Sequence, residues 1–286
     1  MSKSSLGIWV DGARPRTLPA AIAPVLVATA LAGDSFNPLT AALALFVSLA
    51  LQIGVNYAND YSDGIRGTDN DRIGPSRITA GGLAKPSQVK RAAFISFGAA
   101  AVAGLGLAIT TSWWLIAVGA ISIAAAWGYT GGKSPYGYMG LGELFVFIFF
   151  GLVATVGTFY VQAEEITGQS ILAGTIVGSL ACAILVINNV RDRAKDEVVG
   201  KRTLAVRLGD RRSRAFYTFL VTAPYLLTAG FGTPWTMLTL LTLPMTISIL
   251  KALWSGIQGA DLIALLGKTG KLQMLFSLAV SLALII

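Results

Sequence analysis

Two polar segments, NYANDYSD at 56–63 and NNVRDRAKD at 188–196, each close an apolar run of about twenty residues, the length of a bilayer span. A carboxylate at mid-membrane costs roughly 2.5–3.5 kcal/mol on insertion scales, so acids gathered at the ends of two such runs need a reason. If each helix continues through its polar tail, Asn56, Asp60 and Asp63 stand at i, i+4 and i+7 and share one face. Asn188, Asp192 and Asp196 repeat the i, i+4 step. Aspartates facing one another across a common space would repel and resist ionisation. A divalent cation relieves that conflict, and Mg²⁺ takes one or two carboxylates while phosphate oxygens and water complete its octahedron. Cations are interleaved with the acids: Arg66, Arg72 and Arg77 after the first set, Arg191, Lys201, Arg202 and Arg207 with the second. Oxygen ligands for metal beside cations for phosphate is the chemistry of a metal–diphosphate complex. Gly200-Lys201 is not a Walker loop, because position 195 is lysine and Arg202 follows.

The rest of the inventory narrows the chemistry. The chain has no histidine, which removes the usual zinc and haem ligands and any Ser-His-Asp triad. Cys182 is the single cysteine and lies in an apolar run, where it reads as packing. Metal chemistry must therefore use oxygen donors, which points to Mg²⁺, Mn²⁺ or Ca²⁺.

The elements that must carry these residues are membrane helices. Hydrophobic residues make up 54% of the 286, charged residues 13%, and mean hydropathy is +0.68. A soluble domain carries about 25% charged residues, so the composition predicts an all-α polytopic membrane protein. The 32 glycines suit close helix approach. Nine spans are predicted, at 17–33, 39–58, 91–110, 112–130, 141–162, 170–190, 214–231, 234–250 and 272–286. All 22 lysines and arginines fall in or beside the N-terminal segment and the even-numbered connections; the odd-numbered ones hold Asp34, Glu164 and Glu165. The positive-inside rule then predicts a cytoplasmic N-terminus and active-site loops, with the C-terminus outside. Ala30-Leu31-Ala32 resembles a signal cleavage site, but Pro19, Pro24 and the polar lead-in favour a retained span. The net charge of +8 belongs to one face and suits anionic lipid or a phosphorylated substrate without invoking nucleic acid. The two polar segments follow spans two and six, which suggests one transmembrane domain of two related halves, about 17–130 and 141–250, plus the last helix.

At these motifs the chain resembles the UbiA superfamily of intramembrane aromatic prenyltransferases. The N-x-x-x-D element is Asn56…Asp60 with Asp63 and Asp69 downstream, D-x-x-x-D is Asp192…Asp196, and Y-x-x-x-K is Tyr129…Lys133. In the fuller pattern N-D-x-x-D-x-x-x-D the final acid falls at Gly67, and Asp69 is the nearest substitute. The segments 13–25, 56–77 and 188–209 are similar to the branch that prenylates 1,4-dihydroxy-2-naphthoate. The resemblance implies nine helices around a central cavity, a polyprenyl diphosphate held by two Mg²⁺ ions, and transfer of the prenyl group to the naphthoate. Loss of CO₂ and diphosphate would give demethylmenaquinol, a precursor of menaquinone, in a bacterial cytoplasmic membrane. It further implies Asp60, Asp63, Asp69, Asp192 and Asp196 at metal, Lys133 and Tyr129 with Asp60, Asp63, Asp192 and Asp196 in the reaction, and Asn56, Asn188, Arg16, Arg66, Arg72, Arg77, Arg191 and Lys201 around the diphosphate. Tyr136 and Tyr138 read equally as cation shelter or interfacial belt. Acceptors such as 4-hydroxybenzoate or homogentisate are the alternatives within the superfamily. A transporter would instead carry acids at mid-membrane on several helices, whereas here they gather at one end of two.

Overall fold

In lipid a backbone must satisfy its own hydrogen bonds, so apolar runs of this length cross as helices. The computed structural model describes residues 4–67 and 77–286, and every regular element among them is helical. The expected sites Asp69 and Arg72 lie outside the described residues. A short α1 (Ser5–Ala13) precedes α2 (Pro19–Leu31), α3 (Pro38–Ile65), α4 (Pro86–Thr110) and α5 (Leu115–Gly128). Then come α6 (Gly142–Ala163), α7 (Gly168–Val198), α8 (Leu204–Leu227), α9 (Pro234–Trp254) and α10 (Leu262–Ile285). Among the described residues, six helices are long and apolar enough to span: α3, α4, α6, α7, α9 and α10, the last with a preceding turn from Gly259. The shorter α2 and α5 are apolar as well.

Local chemistry sets the starts. The Asn37 side chain accepts from the Leu39 and Thr40 amides ahead of α3, with Pro38 at the first position, where its missing N–H costs nothing. Thr167 and Ser170 form a reciprocal capping box at α7. Both α3 and α7 run on past their apolar stretches and carry their polar tails on helix, as the spacing required.

The centre of the bundle is α7. It is apolar nearly all round, with Ala173, Ile176, Val177, Leu180, Ala183 and Ile187 buried, the pattern of a helix enclosed by others. Against it α6 carries a π-helical stretch over Phe147–Val153. A Cβ on Gly151 would come within 2.7 Å of the Gly178 Cα, and one on Gly178 within 2.9 Å of the Gly151 Cα. The two backbones touch there. Gly178→Val is therefore expected to overpack the crossing and to destabilise by about 1–3 kcal/mol, read as a lower thermal midpoint in detergent; an unchanged midpoint would refute the close packing.

Three expectations about boundaries change. The chain predicts a loop up to residue 271, yet α10 begins at Leu262. Leu262, Leu265, Thr269 and Leu272 are buried at helical spacing while Lys268 and Lys271 point out, so the lysines sit on the wet face of an amphipathic turn. The stretch from 191 to 213 is likewise mostly helix rather than loop: α7 reaches Val198 and α8 starts at Leu204, with 199–203 as the link and non-helical Gly209 marking a kink. An unforeseen α1 packs its Ile8 and Trp9 on a cluster with Tyr57 and Ile78, and the Tyr57 hydroxyl donates to Trp9 O at 2.8 Å.

Candidate functional site

The polar tails of α3 and α7 meet at one end of the bundle around a small chamber of about 50 Å³. Asn59 and Asp63 come from α3, and Asn188, Asn189, Asp192, Lys195 and Asp196 from α7; Arg14, Arg77, Tyr129, Thr130 and Lys201 complete the wall. Beneath it lies a larger cavity of about 310 Å³ with a mainly apolar lining from α3, α4, α5, α6 and α7. Arg14, Asn59, Tyr129 and Asn188 border both. The whole therefore offers a charged compartment adjoining a greasy one.

The expected residues divide sharply. Asp63, Asp192, Asp196, Asn188, Tyr129, Arg77 and Lys201 do converge on the polar chamber. The Asp63 carboxylate accepts from the Tyr138 hydroxyl at 2.6 Å and lies 3.8 Å from the Lys201 ammonium. Lys201 is brought there by chain reversal. Gly200 takes φ 76°, a conformation open to glycine, and the Lys201 amide donates back to Asp196 O at 2.7 Å. The ammonium then rests 4.6 Å from the Tyr138 ring centre. Tyr138 thus contacts two residues that line the chamber, Asp63 and Lys201, without lining it itself.

Other expected residues serve the chamber from behind. Asp60 is buried but accepts from the backbone amides of Ile78 and Thr79 at 2.9 and 2.8 Å. It seats the turn that carries Arg77, and Gly64 allows that turn to approach, since a Cβ there would lie 2.5 Å from Thr79. Asp60→Ala is accordingly expected to cost about 1.5–3 kcal/mol of stability without altering any divalent-ion requirement, as read by thermal unfolding and a Mg²⁺ titration of activity. Arg191 grips Asp192 with two bonds of 2.7 and 2.6 Å and donates to Asn188 Oδ1 at 2.8 Å, orienting both. Arg66 donates to the backbone oxygens of Thr130 and Gly132 and stands 5.4 Å from the Tyr138 ring. Asn56 borders the apolar cavity, where its Nδ2 donates to Ala13 O and Thr17 Oγ1. Lys133 and Arg16 are exposed and border neither compartment.

The residues not anticipated are Asn59, Asn189, Arg14 and Lys195. Asn59 and Asp63 stand at i, i+4, the step that also relates Asn188 to Asp192, and Thr130 holds the Asn59 amide by donating to its Oδ1 at 2.7 Å. Counting that step from Asn56 instead selects Asp60, which lies about 100° from Asn59 around the helix. Asn189 is held from behind, its Nδ2 donating 2.9 Å to Glu143 Oε1. The Lys195 ammonium is buried with no hydrogen-bond partner among the described residues. Arg14 adopts φ 54° at the end of α1 and reaches the Asn56 carbonyl at 3.3 Å, whereas Arg16 two residues on turns outward.

The donor set suits a hard cation that is only partly held by protein. Carboxylate and amide oxygens line the chamber, but among the described residues no three acids lie close enough to cage a metal alone. An ion there needs phosphate oxygens or water to complete its shell, which is how Mg²⁺ behaves. Along the apolar cavity runs an aromatic series. Tyr129 meets Tyr136 edge-on at 5.6 Å, Tyr136 stacks on Phe145 at 3.9 Å, and Phe145 faces Phe149 at 6.0 Å. Burial raises the Tyr136 phenol above its ordinary range, so it stays protonated and donates to Ala125 O at 2.8 Å.

Helical fold and site together define a receptacle for an amphiphile with an anionic head and an apolar tail. The chain belongs to the UbiA prenyltransferase family, whose profile matches residues 21–276. It is 49% identical over 285 residues to the 1,4-dihydroxy-2-naphthoate octaprenyltransferase of Mycobacterium tuberculosis, covering 98% of each chain. The Escherichia coli protein of the same name is 40% identical over 253 residues, covering 84% of this chain and 82% of that one. Among solved structures, a UbiA homolog from Archaeoglobus fulgidus bound to DMAPP and Mg²⁺ matches with a TM-score of 0.63 at 16% identity, covering 97% of this chain and 99% of that one. The protein is an integral membrane aromatic prenyltransferase.

Proposed function

We propose that this enzyme transfers a polyprenyl group from polyprenyl diphosphate to 1,4-dihydroxy-2-naphthoate, releasing CO₂ and diphosphate and forming demethylmenaquinol. The observation that carries the reading is the adjoining pair of compartments, one lined by acids, amides and cations and the other mainly by aliphatic and aromatic side chains. The names of the relatives supply the acceptor.

Asp63, Asp192 and Asp196, with the amide oxygens of Asn59 and Asn188, would hold Mg²⁺, two ions in the pattern of the resemblance. When bound, Mg²⁺ supplies positive charge to the leaving diphosphate. Lys201, Lys195, Arg77 and Arg14 line the same compartment and stabilise the remaining phosphate charge as the allylic C–O bond breaks with its electron pair going to oxygen. The ring faces of Tyr129 and Tyr136 border the junction and shelter the allylic cation. The electron-rich naphthoate ring attacks that carbon, and the electron pair of the bond to CO₂ returns to the ring. No covalent nucleophile on the protein is required.

The shorter α2 and α5 and the charge-bearing α8 would join the six long helices to make nine spans in two related halves, 17–130 and 141–250, with a last helix. The basic connections, and with them the polar chamber, would face the cytoplasm of a bacterial cell. The test is purified protein with radiolabelled prenyl diphosphate, Mg²⁺ and a panel of aromatic acids. Release of CO₂ and prenylated product only with dihydroxynaphthoate is expected; transfer to a different acid would overturn the acceptor. Chelation with EDTA is expected to lower turnover by at least about 10²-fold, with Mg²⁺ restoring it, while a chelator-insensitive enzyme would remove the metal from the scheme.

A further inference from the structure

We propose that Gln52 recognises the aromatic acceptor, its side-chain carbonyl accepting a hydrogen bond from a ring hydroxyl; this rests on the two-substrate reading of the same cavity. The argument begins with the one proton of the Thr17 hydroxyl. Thr17 donates it to Arg14 O at 2.9 Å. Its oxygen is left only with acceptor capacity, which Gln52 Nε2 fills at 2.9 Å and Asn56 Nδ2 at 3.0 Å. While the Thr17 proton serves Arg14 O, a flipped Gln52 amide would set two acceptors against each other, so the chain's own bonds favour this orientation. The Gln52 Oε1 atom is then buried without a hydrogen-bond partner, on a residue 6% exposed that borders the apolar cavity.

Neighbouring hydroxyls on that wall cannot serve it. Ser48 donates to Ala21 O, Ser122 to Val118 O and Tyr136 to Ala125 O, each at 2.8 Å. A buried carbonyl oxygen left without a donor is costly, and a ligand that brings one removes the cost. Of the two substrates only one can. The prenyl tail has no polar hydrogen, and the ionised diphosphate offers acceptors. The dihydroxy acid carries two phenolic donors. Gln52 also stands at the right level, since Gln52, Asn56 and Asn59 follow one face of α3 at i, i+4 and i+7. About 10 Å of helix axis separates Gln52 from the polar chamber's Asn59, the scale of a bicyclic ring set beside the allylic carbon. A hydroxyl held by this carbonyl also releases electron density into the ring that must attack.

The experiment compares 1-hydroxy-2-naphthoate and 4-hydroxy-2-naphthoate, each lacking one donor, as inhibitors competing with the dihydroxy acid. In the wild-type enzyme the acid lacking the bonded hydroxyl is expected to bind about tenfold more weakly than the other. Gln52→Met keeps the side-chain length and removes the acceptor, and is expected to bring the two within about threefold while raising KM for the dihydroxy acid. KM for prenyl diphosphate should stay within about twofold, which a general loss of folding would not allow. Thr17→Val, which frees the amide to turn, is the second arm and should lessen the preference with Gln52 present. Equal binding of the two acids by wild type, or an unchanged preference in both variants, would overturn the proposal and leave Oε1 to internal water. Should the enzyme prenylate a different hydroxylated aromatic, the naphthoate reading fails separately, and the same comparison with that acceptor's deoxy analogue decides Gln52.

Discussion

Asp63→Asn and Asp192→Asn are each expected to lower prenyl transfer by about 10²–10³-fold or more while the protein remains folded in detergent, Asp192→Asn with a lowered thermal midpoint. Both side chains border the polar chamber, one from each of the helices that face each other there. Asparagine keeps the shape and one acceptor oxygen but removes the charge that a divalent ion and a diphosphate together require. At Asp63 the Tyr138 hydroxyl and the Lys201 ammonium also lose the anion they face, so Lys201 is released from its place by the same change. At Asp192 the paired Arg191 becomes an uncompensated cation with 4% of its side chain exposed. The measurement is single-turnover transfer of a labelled prenyl group across a Mg²⁺ series. A loss of rate that excess Mg²⁺ partly restores supports the ion-binding role. Near wild-type rates in both variants would remove it, and the contrast with Asp60→Ala, where stability moves and the Mg²⁺ requirement does not, separates site from scaffold.

Gly119→Phe is expected to convert the enzyme to one that accepts short prenyl diphosphates and rejects long ones. Gly104, Gly119 and Gly157 all border the apolar cavity, and a Cβ built at any of them meets nothing within 4 Å. A phenyl ring at 119 would therefore occupy space assigned to the tail without straining the backbone. The polar chamber, built from α3, α7 and the connections, is untouched by it. With geranyl diphosphate kcat/KM should remain within about threefold, whereas with a forty-carbon donor it should fall by about 10²-fold or more, the penalty of displacing several buried methylenes at about 0.8 kcal/mol each. An equal effect on both donors would show that the tail does not lie in this cavity.

The sequence already carried the class of fold and the class of chemistry. Runs of apolar residues longer than any soluble helix needs can satisfy their backbones in lipid only as helices, and α3, α4, α6 and α7 lie close to their predicted positions. The lack of histidine and the paired aspartates allowed only oxygen-ligated metal, which the lining of the chamber matches in donor type. Amphipathic stretches were harder: the lysine-bearing start of α10 and the arginine-rich start of α8 look like loops in composition, and become helix because one face of each is buried.

Which side chain of a motif faces the chamber was a matter for tertiary structure alone. Asn56, Asn59, Asp60 and Asp63 all lie within one broad arc of α3, and helical spacing treats them nearly alike. Two contacts distant in sequence separate them: the turn at Ile78 and Thr79 claims Asp60, and Ala13 with Thr17 claims Asn56, leaving Asn59 and Asp63 to the chamber. The same holds for the cations, where a left-handed residue turns Arg14 inward and a glycine reversal delivers Lys201, while Lys133 stays in solvent. Residue type and periodicity set what chemistry the chain could do and on which helices, because both follow from local geometry. The final assignment waited on packing, because a hydrogen bond between residues tens of positions apart leaves no periodic trace in the chain.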